Sequence, residues 1–183
     1  MAKRQAISYS GGSKFFHWLI ALIVIVMLIG SFFLVDLPDQ YKSSAFMLHK
    51  SFGITILFLM LIRLIWISIS GKPKLPIAMP IWEKRLSQIV QYSLYFFVIL
   101  MPLCGWVMSV AANKAPYYFG LFQFSLPGIE PDKSLSLLMK QVHNTSAWVI
   151  IALVALHTVG ALKHHFINKD KVLSRMLPGR ARS

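Results

Sequence analysis

The chain has 183 residues, 56% of them hydrophobic and only 14% charged, with 19 Lys and Arg against 6 Asp and Glu for a formal net charge of +13. A soluble domain carries about 25% charged residues, and a mean hydropathy of +0.62 argues further against one. The basic excess does not point to nucleic acid, because the cations sit in short stretches between long apolar runs, where a membrane surface is the better partner. The single cysteine, Cys104, excludes a disulfide within the chain and a thiolate cluster for zinc or iron–sulfur.

A bilayer core about 30 Å thick needs roughly 20 helical residues to cross it, and four stretches qualify. The first runs from about Phe15 to Val35 without a charge. It ends in Phe32-Phe33-Leu34-Val35-Asp36, with no small-residue cleavage site, so it reads as a retained span rather than a signal peptide. A short loop, Asp36 to Ala45, leads to the second span, about Phe46 to Ile69, with Lys50 near its start and Arg63 within it. After a Pro/Lys loop from Ser70 to Arg85, the third span, about Leu86 to Val110, holds Pro102 and Gly105, both tolerated in membrane helices. A longer loop, Ala111 to Lys140, precedes the fourth span, about Gln141 to Leu162. The expected fold is all-α, an integral membrane four-helix bundle forming one domain over residues 1–183, with lipid as its surroundings.

Basic residues set the direction of insertion. The amino-terminal tail (Lys3, Arg4, Lys14), the second loop (Lys72, Lys74, Lys84, Arg85) and the carboxyl tail (Lys163, Lys169, Lys171, Arg175, Arg180, Arg182) share one side and hold 13 cations. The other side has Lys42, Lys50, Lys114, Lys133 and Lys140 together with four of the six acids. Both termini are therefore expected in the cytoplasm.

Ionisable side chains inside spans are rare and usually functional. Of the six histidines, His143 and His157 are 14 residues apart on the fourth span, so they lie within about 40° of one another and about 21 Å apart along the axis. His17 opens the first span at the cytoplasmic side and matches the depth of His157; His49 opens the second at the periplasmic side and matches His143. Each histidine taken alone is better explained as an interfacial anchor or a helix–helix hydrogen bond. Together they make two pairs at two levels, the arrangement that supplies two axial ligands to each of two haem irons. Zinc wants about four ligands at one point, and a proton relay would more naturally use the Asp or Glu that the spans lack.

Arg63 follows His49 by 14 residues, on the same side of the second span, where it either pairs with a haem propionate or snorkels to the interface. Ser31, 14 residues after His17, and Gly53, one turn beyond His49, leave room for a flat macrocycle or for close helix packing. His164 lies seven residues past His157, within about 20° of its face, and is a candidate contact for a propionate or a quinone headgroup. His165 points elsewhere and reads as a solvated interfacial residue. Trp18, Trp66, Trp82, Trp106, Trp148 and Phe16 read as interfacial or packing residues. Met101, Met108 and Met139 are not needed as ligands.

These features resemble the bacterial cytochrome b561 family, four-helix di-haem proteins of the inner membrane. The resemblance rests on His17-Trp18, on His49 with Gly53 and Arg63, on His143 with His157, and on Lys163-His164-His165-Phe166, Lys169-Asp170 and Met176-Leu177-Pro178. The ascorbate-dependent eukaryotic proteins of similar name have six spans and do not match. The resemblance implies two haem b groups on His17, His49, His143 and His157 in a bacterial inner membrane. It also implies exchange of electrons with ubiquinone and superoxide as donor, making a superoxide:quinone oxidoreductase. Lys42, Lys50, Lys114 and Lys140 could then form a positive mouth that steers an anion, or could simply be soluble loop residues. His164, Lys74 and Lys163 are candidates for the quinone site. Two other readings stay open. One is a cytochrome subunit exchanging quinol electrons with a periplasmic carrier or dehydrogenase, docked on the Ala111 to Lys140 loop with its Tyr117, Tyr118 and Phe119. The other is a metal-ion or proton transporter.

Overall fold

The computed structural model describes residues 8–74, 76 and 79–179, so Lys3, Arg4, Arg180 and Arg182 of the orientation count lie outside the described residues. Four helices run up and down: α1 (Gly11–Ser31), α2 (Asp39–Ser70), α3 (Ile81–Ala111) and α4 (Lys133–Phe166). All four are long and apolar enough to cross a membrane. Between α3 and α4 a small antiparallel hairpin joins β1 (Tyr117–Tyr118) to β2 (Phe122–Gln123), pairing Tyr117 with Gln123 and Tyr118 with Phe122.

The helices overrun the expected spans because hydropathy marks only what lies in lipid, whereas polar caps decide where a helix begins. The Asp132 carboxylate accepts the N–H groups of Ser134 (2.7 Å) and Leu135 (3.1 Å), starting α4 inside the expected loop. At α2, Pro38 sets φ at −55° and Asp39 places a negative charge in the first turn. The expected loop from Asp36 to Ala45 is therefore mostly helix. Conversely α1 stops at Ser31, and residues 32–36 continue as turns.

Outward faces are strongly apolar: Leu22, Val26, Ile65, Ile69, Ile89, Phe96, Trp148 and Val159 are all exposed. In water such continuous surface would drive association; in a bilayer it is the lipid contact. The interior is narrow. α1 packs on α2, α2 on α3, and α3 along α4, while α4 stands further from α1 and α2. That wider separation is bridged at mid-depth by an apolar layer around Ile150, which is fully buried among Ile20, Val24, Met27 and Leu28 of α1, Ile56 and Met60 of α2, and Val98 and Met101 of α3.

The end where the described chain starts and finishes is tied together after α4. Residues 167–179 fold back across it: the Arg175 carbonyl accepts Ser8 Oγ (2.8 Å) and the Met176 carbonyl accepts Trp18 Nε1 (2.9 Å). Lys14 Nζ donates to Gly179 O (2.8 Å), and Arg175 Nη1 to Lys74 O (2.7 Å). Here α1 and α2 meet closely enough that a Cβ on Gly12 would fall 2.4 Å from the Trp66 indole, whose Nε1 donates to Ser10 Oγ at 3.0 Å.

Candidate functional site

Helical periodicity puts His49, Gly53, Ile56, Met60 and Arg63 within about 40° of one direction on α2, and Ile56, Met60 and Arg63 are all buried. This face looks across the wider separation toward α4, where Ile150 sits seven residues from His143 and seven from His157. The buried layer at Ile150 thus divides the interior into two levels, each with a histidine from α4.

At the termini end the structure brings His17 against His157, with ring centroids 6.3 Å apart and planes at 67°. At the hairpin end His49 faces His143, again at 6.3 Å and 67°. This spacing is too wide for a hydrogen bond between the rings. It matches two imidazoles on opposite sides of one metal ion: bonds of about 2.0 Å, with each ring centre about 1.1 Å behind its nitrogen, give about 6.2 Å. Among the described residues, no group of three or more His, Cys, Asp or Glu is placed to hold a metal ion by itself. Each pair therefore offers two nitrogen donors, and a metal held there would need its remaining ligands from another group.

One imidazole is fixed in orientation. His143 Nδ1 lies 2.8 Å from the Met101 carbonyl of α3. A carbonyl only accepts, so Nδ1 carries the proton and Nε2 is left with its lone pair. The ring rests against Gly105, one turn beyond Met101, where a Cβ would come 3.1 Å from both Nδ1 and Cε1. In the sequence Gly105 stood out only as a residue that membrane helices tolerate; its contact with a ring 38 positions away has no local signal.

Arg63 is buried at 7% exposure, its guanidinium 5.8 Å from the Tyr95 ring centre. No carboxylate pairs with it among the described residues, and it lies close enough to His17 and His157 to interact with both electrostatically. Arg175, which sequence reasoning counted only as a tail cation, joins it: both guanidinium groups act on Tyr9, whose phenol burial pushes above its usual range. The Arg175 Nε is buried and has no hydrogen-bond partner among the described residues. Arg63 therefore stands near the His17–His157 pair and Arg175 beside Tyr9 at the same end of the bundle, neither paired with an acid among the described residues.

His164 is buried in a polar cluster between α3 and the segment after α4. Its Nδ1 donates to Asp170 Oδ2 at 2.6 Å, and Glu83 Oε2 is 3.7 Å from Nε2. Lys163 pairs with the same Glu83 and stacks over Trp82 at 5.3 Å. Glu83, which no sequence motif singles out, is the hub. Both acids at this end are thus engaged by Lys163 and His164, while Lys74 is exposed and offers its carbonyl to Arg175.

Of the four lysines expected to form a positive mouth at the hairpin end, one is paired with an acid. Lys42 is paired with Asp39 at 2.9 Å, and Lys50 Nζ donates to the Lys114 carbonyl at 2.8 Å. The hairpin packs on the back of α2: Met47, Ser51, Thr55 and Phe58 lie about 160–240° round the helix from His49. Ser51 Oγ accepts the Phe119 N–H at 2.8 Å, Thr55 Oγ1 is 3.1 Å from the Tyr118 hydroxyl, and Phe58 meets Phe124 at 6.1 Å. Of the three aromatics expected on a docking surface, Tyr118 and Phe119 are instead partly buried against α2, and only Tyr117 is exposed.

Residues 8–179 match the family model described as prokaryotic cytochrome b561. The chain is similar to "Cytochrome b561 homolog 2" of Escherichia coli (strain K12), with 34% identity over 169 residues, covering 90% of this chain and 88% of that protein. "Cytochrome b561 homolog 1" of the same organism is 29% identical over 178 residues, 94% of this chain and 98% of the relative. "Probable superoxide oxidase CybB" of Yersinia pestis is 30% identical over 164 residues, 88% and 91% of the two chains.

Proposed function

The chain belongs to the prokaryotic cytochrome b561 family, bacterial membrane proteins that carry electrons on b-type haem, and from that premise we propose that it holds two haem b groups and passes electrons from superoxide to ubiquinone. His17 and His157 would hold one haem, and His49 and His143 the other. Two superoxide anions lose one electron each and leave as dioxygen; two electrons and two protons convert ubiquinone to ubiquinol. When bound, the haem irons supply the one-electron chemistry.

The observation that carries this reading is the equal 6.3 Å separation of the two histidine pairs, each set between α4 and a helix that stands apart from it. The surrounding residues fit a haem as well. Arg63, buried near His17 and His157 without an acid among the described residues, would be able to pair with a propionate of a haem held by these histidines. The Met101 carbonyl presents His143 with Nε2 free to ligate. A haem held by a histidine from each side would supply one-electron chemistry and act as an electron relay.

The excess of cations at the termini end supports a bacterial inner-membrane protein with both termini in the cytoplasm. Superoxide would then arrive at the hairpin end, where Lys50 and Lys114 supply positive charge, and ubiquinone would be reduced near the His17–His157 level. There His164, hydrogen-bonded to Asp170, can hold and hand on a proton.

Haem content and superoxide-driven ubiquinone reduction, measured on one purified sample, test the reading. Two low-spin haems per chain are expected, with His157→Ala and His49→Ala each losing one. A colourless protein would sink it. Two haems without superoxide turnover above that of a control cytochrome would favour the second reading, exchange of quinol electrons with a periplasmic carrier. That alternative is supported by exposed Tyr117, Leu121 and Phe122 on the hairpin.

A further inference from the structure

We propose that Gly105 and the Met101 carbonyl are positioning groups for His143, and that they give the His49–His143 haem the lower reduction potential of the two. The inference rests on the di-haem reading above and gives a physical cause for the direction of electron flow proposed there.

The two histidine pairs have the same separation and the same interplanar angle, yet their surroundings differ. His143 donates Nδ1–H to a main-chain carbonyl at 2.8 Å, whereas His17, His49 and His157 make no hydrogen bond among the described residues. A ligating imidazole whose second nitrogen donates to a carbonyl is a stronger base and electron donor. Stronger donation favours the oxidised iron, so the haem with this ligand holds its electron less tightly. Arg63, buried near His17 and His157 without an acid among the described residues, works in the opposite sense at the other level, because positive charge beside a haem favours the reduced, less positive iron. Both differences run the same way: electrons fall from the hairpin end to the termini end, through the layer at Ile150.

Gly105 makes the hydrogen bond geometrically possible. The imidazole lies on the surface of α3 where a side chain would otherwise stand, and any Cβ there meets Nδ1 and Cε1 at 3.1 Å. The ring would have to retreat by a few tenths of an ångström, lengthening its bond to Met101 while remaining within reach of the iron. Glycine at 105 is therefore a requirement of the ligand rather than of helix packing. By contrast, a Cβ on Gly30 would meet nothing within 4 Å, so that position serves as the control.

The experiment is a redox titration of the purified holoprotein in detergent, with low-spin EPR to separate the haems, on wild type, Gly105→Ala and Gly30→Ala. Gly105→Ala should keep both haems and move the reduction equilibrium of the lower-potential haem about tenfold toward the reduced form, about 59 mV for one electron. The EPR signal of that same haem should move, the other haem should stay in place, and Gly30→Ala should match wild type. An unmoved lower wave with full haem content overturns the inference and leaves the di-haem reading intact. A wild type without two haems overturns both. Should Gly105→Ala not fold, His157→Ala, which retains the His49–His143 pair, decides the matter: its remaining wave must coincide with the lower wild-type step, and coincidence with the upper step refutes the proposal.

Discussion

Ser51→Ala isolates a single hydroxyl that fastens the hairpin to the bundle. Ser51 is fully buried, its Oγ donating to the Met47 carbonyl at 2.8 Å while accepting the Phe119 N–H at 2.8 Å. Phe119 sits at φ 48°, a conformation that costs a non-glycine residue roughly 1–2 kcal/mol and persists only where its surroundings hold it. Alanine preserves α2, being the best helix former, but leaves the Phe119 N–H without its acceptor, at a cost of about 1–3 kcal/mol. Local opening of the hairpin should rise accordingly, by roughly 5- to 150-fold, since 1.4 kcal/mol is about a factor of ten. Hydrogen–deuterium exchange followed on a peptide spanning 117–124 reads this directly, and the α4 peptides around Ile150 should exchange as in wild type. Unchanged exchange at 117–124 would mean that Thr55–Tyr118 and the aromatic contacts hold the hairpin without Ser51.

Ile150→Ala opens a cavity between the two histidine levels and should destabilise the bundle by about 2–5 kcal/mol, lowering the melting temperature by roughly 4–20 °C; a smaller loss than at lipid-facing Val159 would refute the idea that this layer joins the four helices. Gly12→Ala drives a methyl group into Trp66 and breaks its bond to Ser10, costing about 1–3 kcal/mol. Trp66→Phe should relieve part of that loss in the double variant, and strict additivity of the two changes would argue against the contact.

The four spans and four central histidines were legible because their signals are local: long apolar runs, and a 14-residue spacing that repeats from His143 to His157 and from His49 to Arg63. Helix ends were harder, since Asp132 acts by capping α4 and Asp39 by placing a negative charge in the first turn of α2, and neither effect shows in hydropathy. The hairpin escaped notice because its three-residue connection, Phe119 to Leu121, puts a phenylalanine at positive φ and is held by a serine 68 positions away. The same reason hid Gly105, Glu83 and Arg175: each matters through a residue far along the chain, such as the 42 positions separating Met101 from His143. His164 stands out in the sequence as a polar residue near the His157 face, but its partners, Glu83 and Asp170, could not be read from periodicity.

One arrangement bears on how the protein is made. α4 contributes a histidine to both pairs, while α1 and α2 contribute one each. A nascent chain that has completed α1, α2 and α3 possesses only two solitary imidazoles at opposite depths, and neither level can close around a ligand with two axial bonds. Both levels come into being as α4 inserts, and the residues that then fold across the termini end emerge later still. With the ligand set proposed above, cofactor capture would wait for the last helix, and a stalled or clipped chain lacking α4 would present no complete histidine pair at either depth.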